Sequence, residues 1–210
     1  MNDKKYLNII AHYEDCLEKH GDNHMGVDWP KKEDVNTRYR VMLDLIRSDK
    51  TTGEITLLDF GCGASHLYEY ILQYQIPNIT YSGLDLSEKF ISLSKGKFPD
   101  NQFYCLDIIE DPNGIPNFDY ILMNGVFTEK RELSFDEMFE YLKTMLTITF
   151  QKANKGIAFN VMSKAVDWER NDLFHLSLDT LADFLTKNLS RHFVIRNDYG
   201  LYEYTVYLYK

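Results

Sequence analysis

Leu57-Leu58-Asp59-Phe60-Gly61-Cys62-Gly63-Ala64-Ser65-His66-Leu67 is an apolar run that ends on an acid, turns at two glycines and resumes with helical spacing. A strand followed by a tight glycine turn and a helix is the start of a βαβ unit. In open α/β sheets, ligands sit where such a strand meets its helix. Glycine there lets the backbone pass close to a ligand, and the first turn of the helix offers free N–H groups. Gly61 also suits a plain tight turn. Two carboxylates argue for more than a turn. Asp59 interrupts an otherwise apolar strand, where a charge is costly without a partner. Asp85 closes the next strand, where an acid can accept both hydroxyls of a ribose.

Outward from this turn, short apolar runs alternate with helical patterns, which predicts a mostly parallel sheet. Strands are expected at Thr56–Phe60, Thr80–Asp85, Gln102–Leu106, Tyr120–Asn124 and Gly156–Val161. Helices are expected at Ser65–Tyr74, Ser87–Lys97, Phe135–Lys152 and Leu178–Leu189. Ser134 with Glu137 has capping-box spacing, and Ser65 and Ser87 are candidate caps. Phe193–Asn197 and Glu203–Tyr209 flank a Gly-containing turn, so the last strand should run antiparallel. Residues 1–53 read as a helical extension broken at His20-Gly21-Asp22-Asn23-His24, with turn material at Ser48–Gly53. Residues 54–210 read as the α/β domain.

Composition narrows the partners. The chain of 210 residues is 44% hydrophobic and 14% aromatic, enough for one globular domain. A net charge of −9 disfavours a phosphate-backbone footprint, so no nucleic acid is expected. No apolar run nears the roughly 18 residues of a membrane span, and the amino terminus lacks a signal core. A cytoplasmic, membrane-free protein is expected. Cys16, Cys62 and Cys105 read as free thiols, and no metal-ligand set is predicted.

The glycine turn also discriminates between ligands. A dinucleotide fingerprint would place its third glycine at His66, where a bulky side chain opposes close helix–strand packing. An acid before the first glycine would repel a pyrophosphate, whereas it suits a ligand carrying an ammonium and a sulfonium. Here LLDFGCGASHL (57–67) resembles motif I of the class I S-adenosylmethionine-dependent methyltransferases. YSGLDLSEKFI (81–91), FYCLDI (103–108) and FDYILMNGVF (118–127) resemble the next three motifs, in the family's order. The resemblance implies a seven-stranded Rossmann-like sheet with an antiparallel last strand and helices on both faces. It implies S-adenosylmethionine as cofactor, with Asp59, Gly61, Cys62, Gly63, Asp85, Leu86, Asp107, Ile108 and Asn124 around it. Asp85 would hold the ribose and Asp107 would sit beside the adenine amino group.

The fourth motif lacks the Asp/Asn-Pro-Pro-aromatic run of enzymes that methylate the amino groups of bases or glutamine. A small-molecule acceptor, methylated at oxygen, is therefore expected. Extensions like residues 1–53 often form a lid in this family; Trp29 would stack on cofactor or substrate, and Arg38 would pair with the methionine carboxylate. Of six histidines, His20 and His175 fall in loops suited to a general base. The extension and the Tyr-rich last strand resemble uncharacterised bacterial small-molecule methyltransferases. A non-catalytic module binding the same cofactor, or an NAD-dependent oxidoreductase tolerating His66, are the other functions considered. The oligomeric state is not predicted.

Overall fold

The computed structural model describes residues 4–46 and 53–210. Residues 48–52 of the expected turn and the first three residues lie outside them. The sheet is built from β1 (Ile55–Phe60), β2 (Ile79–Asp85), β3 (Gln102–Cys105), β4 (Phe118–Phe127), β5 (Ala153–Ser163), β7 (Phe193–Arg196) and β8 (Glu203–Tyr209), in the order β3-β2-β1-β4-β5-β8-β7. A two-residue strand, β6 (His175–Leu176), pairs with the end of β5 on the edge opposite β8. The fold is thus the expected mostly parallel sheet, with β8 antiparallel to both β5 and β7.

Helices α1 (Leu7–His20), α2 (Lys32–Leu43), α3 (His66–Gln73), α4 (Glu88–Lys97), α5 (Phe135–Lys152) and α6 (Leu178–Asn188) cover both faces. One apolar cluster joins Leu58, Phe60, Ile121 and Phe159 of the sheet to Met138, Leu142 and Leu146 of α5 and Leu181 and Leu185 of α6. The other joins Leu57, Tyr81, Leu122 and Ala158 to Leu67 and Ile71 of α3 and Ile91 of α4. The alternation of Leu57 and Leu58 between faces is the period of two that a strand imposes. Tyr6 and Ile9 join the first cluster, whereas Tyr39, Met42 and Leu43 of α2 join the second. The link between α1 and α2 therefore crosses the carboxyl edge of the strands, where Val27 approaches Gly63 and Trp29 approaches Gly125.

Three local expectations are corrected. β4 and β5 are longer than Tyr120–Asn124 and Gly156–Val161, because β5 starts directly after α5 and the β4–β5 ladder continues to Phe127 past an irregularity at Met123/Phe127. Gly125, with φ +85, lies inside that irregularity. Ser65 does not cap α3; it takes a left-handed backbone, and its hydroxyl donates to Ser94 Oγ at 2.8 Å. Finally, β6 falls in the stretch read as loop around His175. The capping box at Ser134 and Glu137 forms as expected, and so does the cap of α4 by Ser87.

Candidate functional site

The backbone after Phe60 is fixed by neighbours on both sides. Gly61 has φ +73, and a Cβ there would meet Val126 Cγ2 at 2.8 Å, so conformation and space both require glycine. The N–H groups of Gly61 and Cys62 donate to the carbonyl of Leu84. Gly63 N–H donates to Asp85 Oδ2 at 2.9 Å, and Ser87 N–H donates to Asp85 Oδ1 at 2.9 Å. Ser94 Oγ donates to the carbonyl of Gly63. Asp85 thus clamps the glycine turn to the start of α4, and each of its oxygens keeps a second lone pair.

Asp59 is 3% exposed and accepts one hydrogen bond, from Tyr81 Oη at 2.9 Å. Burial, reinforced by the nearby Asp85 carboxylate, pushes its pKa up to about 7. Burial likewise raises Asp85, against the N–H groups of Ser87 and Gly63 that favour its charge. Within β4, both Asn124 Nδ2 and Oδ1 are buried with no partner. A buried amide in this state costs free energy unless a ligand supplies the bonds.

These groups face one cavity of about 140 Å³ at the carboxyl edge of β1, β2 and β4. Asp59, Gly61, Cys62, Gly63, Asp85, Leu86, Asn124 and Trp29 all line it, as do Tyr6, just before α1, and Tyr13 of α1. A second cavity, of about 290 Å³, is lined by Asp28, Arg38, Glu129, Asn160, His175 and Glu203, among others. The two cavities share Tyr13, Trp29 and Gly125.

Several expected site residues stand elsewhere. Asp107 and Ile108 do not line the first cavity. Asp107 Oδ2 accepts from Tyr6 Oη at 2.6 Å and Oδ1 from Ile109 N–H, while Ile108 is buried in the apolar core. Arg38 lines the second cavity and is already paired, with Nε 3.0 Å from Glu203 Oε2 and its guanidinium 5.0 Å above the Trp29 ring. His20 is exposed at the end of α1 and lines neither cavity. His175 lines the second, but its ring is engaged on both sides. Nδ1 donates to the carbonyl of Ser163 at 2.7 Å, and Nε2 accepts from Arg170 N–H at 3.2 Å. A histidine held this way has no free lone pair with which to take a proton.

Other residues at the site had no clear sequence signal. Glu129 belongs to Glu129-Lys130-Arg131-Glu132, which reads as solvent-facing charge; it is nevertheless buried. Asn160 sits within an apolar strand, where its Oδ1 accepts from Gly125 N–H at 2.7 Å and its Nδ2 donates to Glu203 Oε1 at 2.9 Å. A polar residue in such a run was the available clue. His12, Cys16 and Asp28 also cluster. His12 Nε2 and Asp28 Oδ2 are 2.7 Å apart, a hydrogen bond. Two tetrahedral zinc ligands stand roughly 3.3 Å apart, so this pair as placed is bonded to itself.

Comparison with known proteins bears on this arrangement. Residues 58–148, which hold the glycine turn, Asp85 and Asn124, match the model of a family described as a methyltransferase domain. With four motifs in order on this fold, that match supports a class I S-adenosylmethionine-dependent methyltransferase. A Mycobacterium tuberculosis protein named "Putative methyltransferase" is 25% identical over 153 residues, covering 70% of this chain and 89% of its own. The fold is similar to that of magnesium protoporphyrin IX methyltransferase from Synechocystis PCC 6803, solved with bound SAM (TM-score 0.66, 15% identity, 99% of this chain and 97% of that one). It is also similar to the plantazolicin methyltransferase BpumL, solved with a pentazolic desmethylPZN analog and SAH (TM-score 0.62, 16% identity, 99% and 98% of the two chains). Among the described residues, no helix is long and apolar enough to cross a membrane.

Proposed function

We propose that this methyltransferase holds S-adenosylmethionine in the first cavity and methylates the oxygen of a small molecule seated in the second. The observation that carries the proposal is the junction of the two cavities at Tyr13, Trp29 and Gly125, with the unpartnered Asn124 amide on the donor side. Reacting groups gain most when two sites present them to each other at contact distance. The bound donor supplies a methyl carbon on a cationic sulfur, open to in-line displacement.

The chain's own part is to hold, orient and exclude water. Asp59 would neutralise the donor's ammonium, and Gly61 and Gly63 let the backbone approach it. Asp85 would take the ribose hydroxyls on its remaining lone pairs, and Leu86 would face the adenine. Asp107 would act on that end through Tyr6, which it holds against the cavity. Arg38 would steady Glu203 and Trp29 in place of pairing with the methionine carboxylate. The proposed lid is residues 1–53, whose α1–α2 link crosses the strand ends over the domain at 54–210. Trp29 would close the boundary between donor and acceptor, which keeps water from the transferring carbon.

Support for a small acceptor comes from the size of the second cavity and from two fold neighbours, a magnesium protoporphyrin IX methyltransferase and a plantazolicin methyltransferase. Oxygen as nucleophile rests on the fourth motif, whose Asn124-Gly125-Val126-Phe127 lacks the Pro-Pro run of amino-group methylation. The free cysteines Cys16, Cys62 and Cys105 suit a reducing compartment, and we place the protein in the cytoplasm on that ground. Calorimetry with S-adenosylmethionine and with its demethylated product tests the donor site; absence of binding by both would overturn it. Transfer of labelled methyl to a panel of phenols, alcohols and amines tests the acceptor, and turnover confined to amines would overturn the oxygen assignment.

A further inference from the structure

The second cavity contains a carboxylate with an unfilled bond. Glu129, 7% exposed, has its Oε2 buried with no hydrogen-bond partner. Its backbone is held firmly, because Glu129 bridges to Leu173 and the flanking groups pair with the same segment: Phe174 N–H donates to Thr128 O, and Lys130 N–H to Asp172 O. The side chain is therefore presented to the cavity from a fixed backbone.

The charges around it leave the site short of a cation. Asp28 and Asp172 act on Glu129 from α1–α2 and from the β5–β6 loop, against Arg131 and His12. Arg131 Nη1 makes an ion pair with Oε2 at 3.5 Å without hydrogen-bonding it, and is shared with Asp172 at 3.9 Å. Arg170 is bound to Asp172, and His12 donates to Asp28. Tyr13, also facing Glu129, has its hydroxyl pushed upward first by burial and then by this carboxylate. Trp29, Trp168 and Tyr202 line the same cavity, and Trp168 is 72% exposed. Aromatic faces beside an acid are a favourable setting for an organic cation.

We infer that the acceptor carries an ammonium group, hydrogen-bonded by Glu129 Oε2, so that the substrate class is an amine-bearing hydroxyl compound. This rests on the second cavity being the acceptor site. The hydroxyl would lie toward Tyr13 and Gly125, and the ammonium would fill the bond that the protein leaves open.

The experiment uses full-length protein saturated with S-adenosylhomocysteine and three phenols that differ in tail charge: tyramine, 4-ethylphenol and 4-hydroxyphenylacetate. Calorimetry should show tyramine binding at least about tenfold more tightly than 4-ethylphenol, with the anion weakest. Glu129→Gln should fold and hold S-adenosylhomocysteine as the native protein does, yet lose the preference for tyramine. Equal affinity for the three, preference for the anion, binding of none of them, or a preference that survives Glu129→Gln each overturns the inference. Failure of S-adenosylhomocysteine itself to bind would instead fell the donor-site proposal, and this inference with it.

Discussion

Asp59 is the side chain on which cofactor chemistry and stability should pull in opposite directions. Its carboxyl titrates near 7 in the free protein, against an ordinary value of 3.8, chiefly because burial disfavours its charge. A bound ammonium would restore that charge, so donor binding should release a proton wherever Asp59 starts protonated. With a free pKa of about 7, affinity should fall roughly 50-fold from pH 7 to pH 5, about 1.4 kcal/mol for each tenfold step. The sign for folding is the reverse. Between 3.8 and about 7 the native state binds the proton that the unfolded chain has lost, so stability falls as pH rises through that window. Asp59→Asn keeps the shape and the acceptor for Tyr81 but removes the charge. At pH 8 it should raise the unfolding free energy by up to ~4 kcal/mol while weakening S-adenosylmethionine. The assay is calorimetry from pH 5 to 7 in two buffers of different ionisation enthalpy, with denaturant melts at pH 5 and 8. Asp85, also raised by burial, adds slope of the same sign to both proteins. The informative quantity is therefore the difference between native and Asp59→Asn. Parallel pH profiles, or unchanged affinity in the variant, would refute the reasoning.

Gly61→Ala combines a left-handed backbone with a 2.8 Å approach to Val126 Cγ2; it should cost about 1–3 kcal/mol in a thermal melt and abolish donor binding. Asn124→Leu removes an amide that has no partner in the free protein. The free protein should melt no lower than native, whereas S-adenosylmethionine binding should weaken about tenfold or more by calorimetry. Arg38→Met leaves the buried Glu203 without its cation. Chemical denaturation should show a loss of roughly 3 kcal/mol, largely recovered when Glu203→Gln is added.

The first cavity, the proposed donor side, was legible in the sequence because its parts lie next to one another in the chain. Asp59, Gly61 and Gly63 form one turn, and Asp85 is set against them by strand pairing, since Asp59 lies opposite Gly83 in the parallel register. The second cavity was not. Tyr13, Glu129, Asn160, His175 and Glu203 come from five separate segments, and only tertiary packing makes them neighbours. Glu129 looked solvated because charges follow it, yet its bridge to Leu173 turns it inward. His175 looked like a free loop base, yet pairing of β6 with β5 buries it and occupies both nitrogens. Arg38 was read as part of a lid over the cofactor, while the partner that claims it, Glu203, lies at the far end of the sequence. Local chemistry shows in a sequence; long-range pairing of polar groups does not.

One such long-range pairing joins the two cavities. Gly125 N–H is bonded to Asn160, Asn160 to Glu203, and Glu203 to Arg38; Arg38 stacks on Trp29, whose ring lies 3.6 Å from where a Gly125 Cβ would stand. The path closes on itself at the boundary between the two cavities. Each link is buried or half-buried, so breaking one leaves an unpaired polar group rather than a hydrated one. A ring of this kind fixes both the irregular backbone of β4 at Gly125 and the indole opposite it. In-line transfer needs that rigidity, because the protein accelerates it mainly by alignment. The same ring ties α2 and the β7–β8 hairpin to the strand that carries Asn124. Glu203→Gln, which weakens the link while preserving the acceptor for Asn160, should therefore lower turnover more than donor affinity.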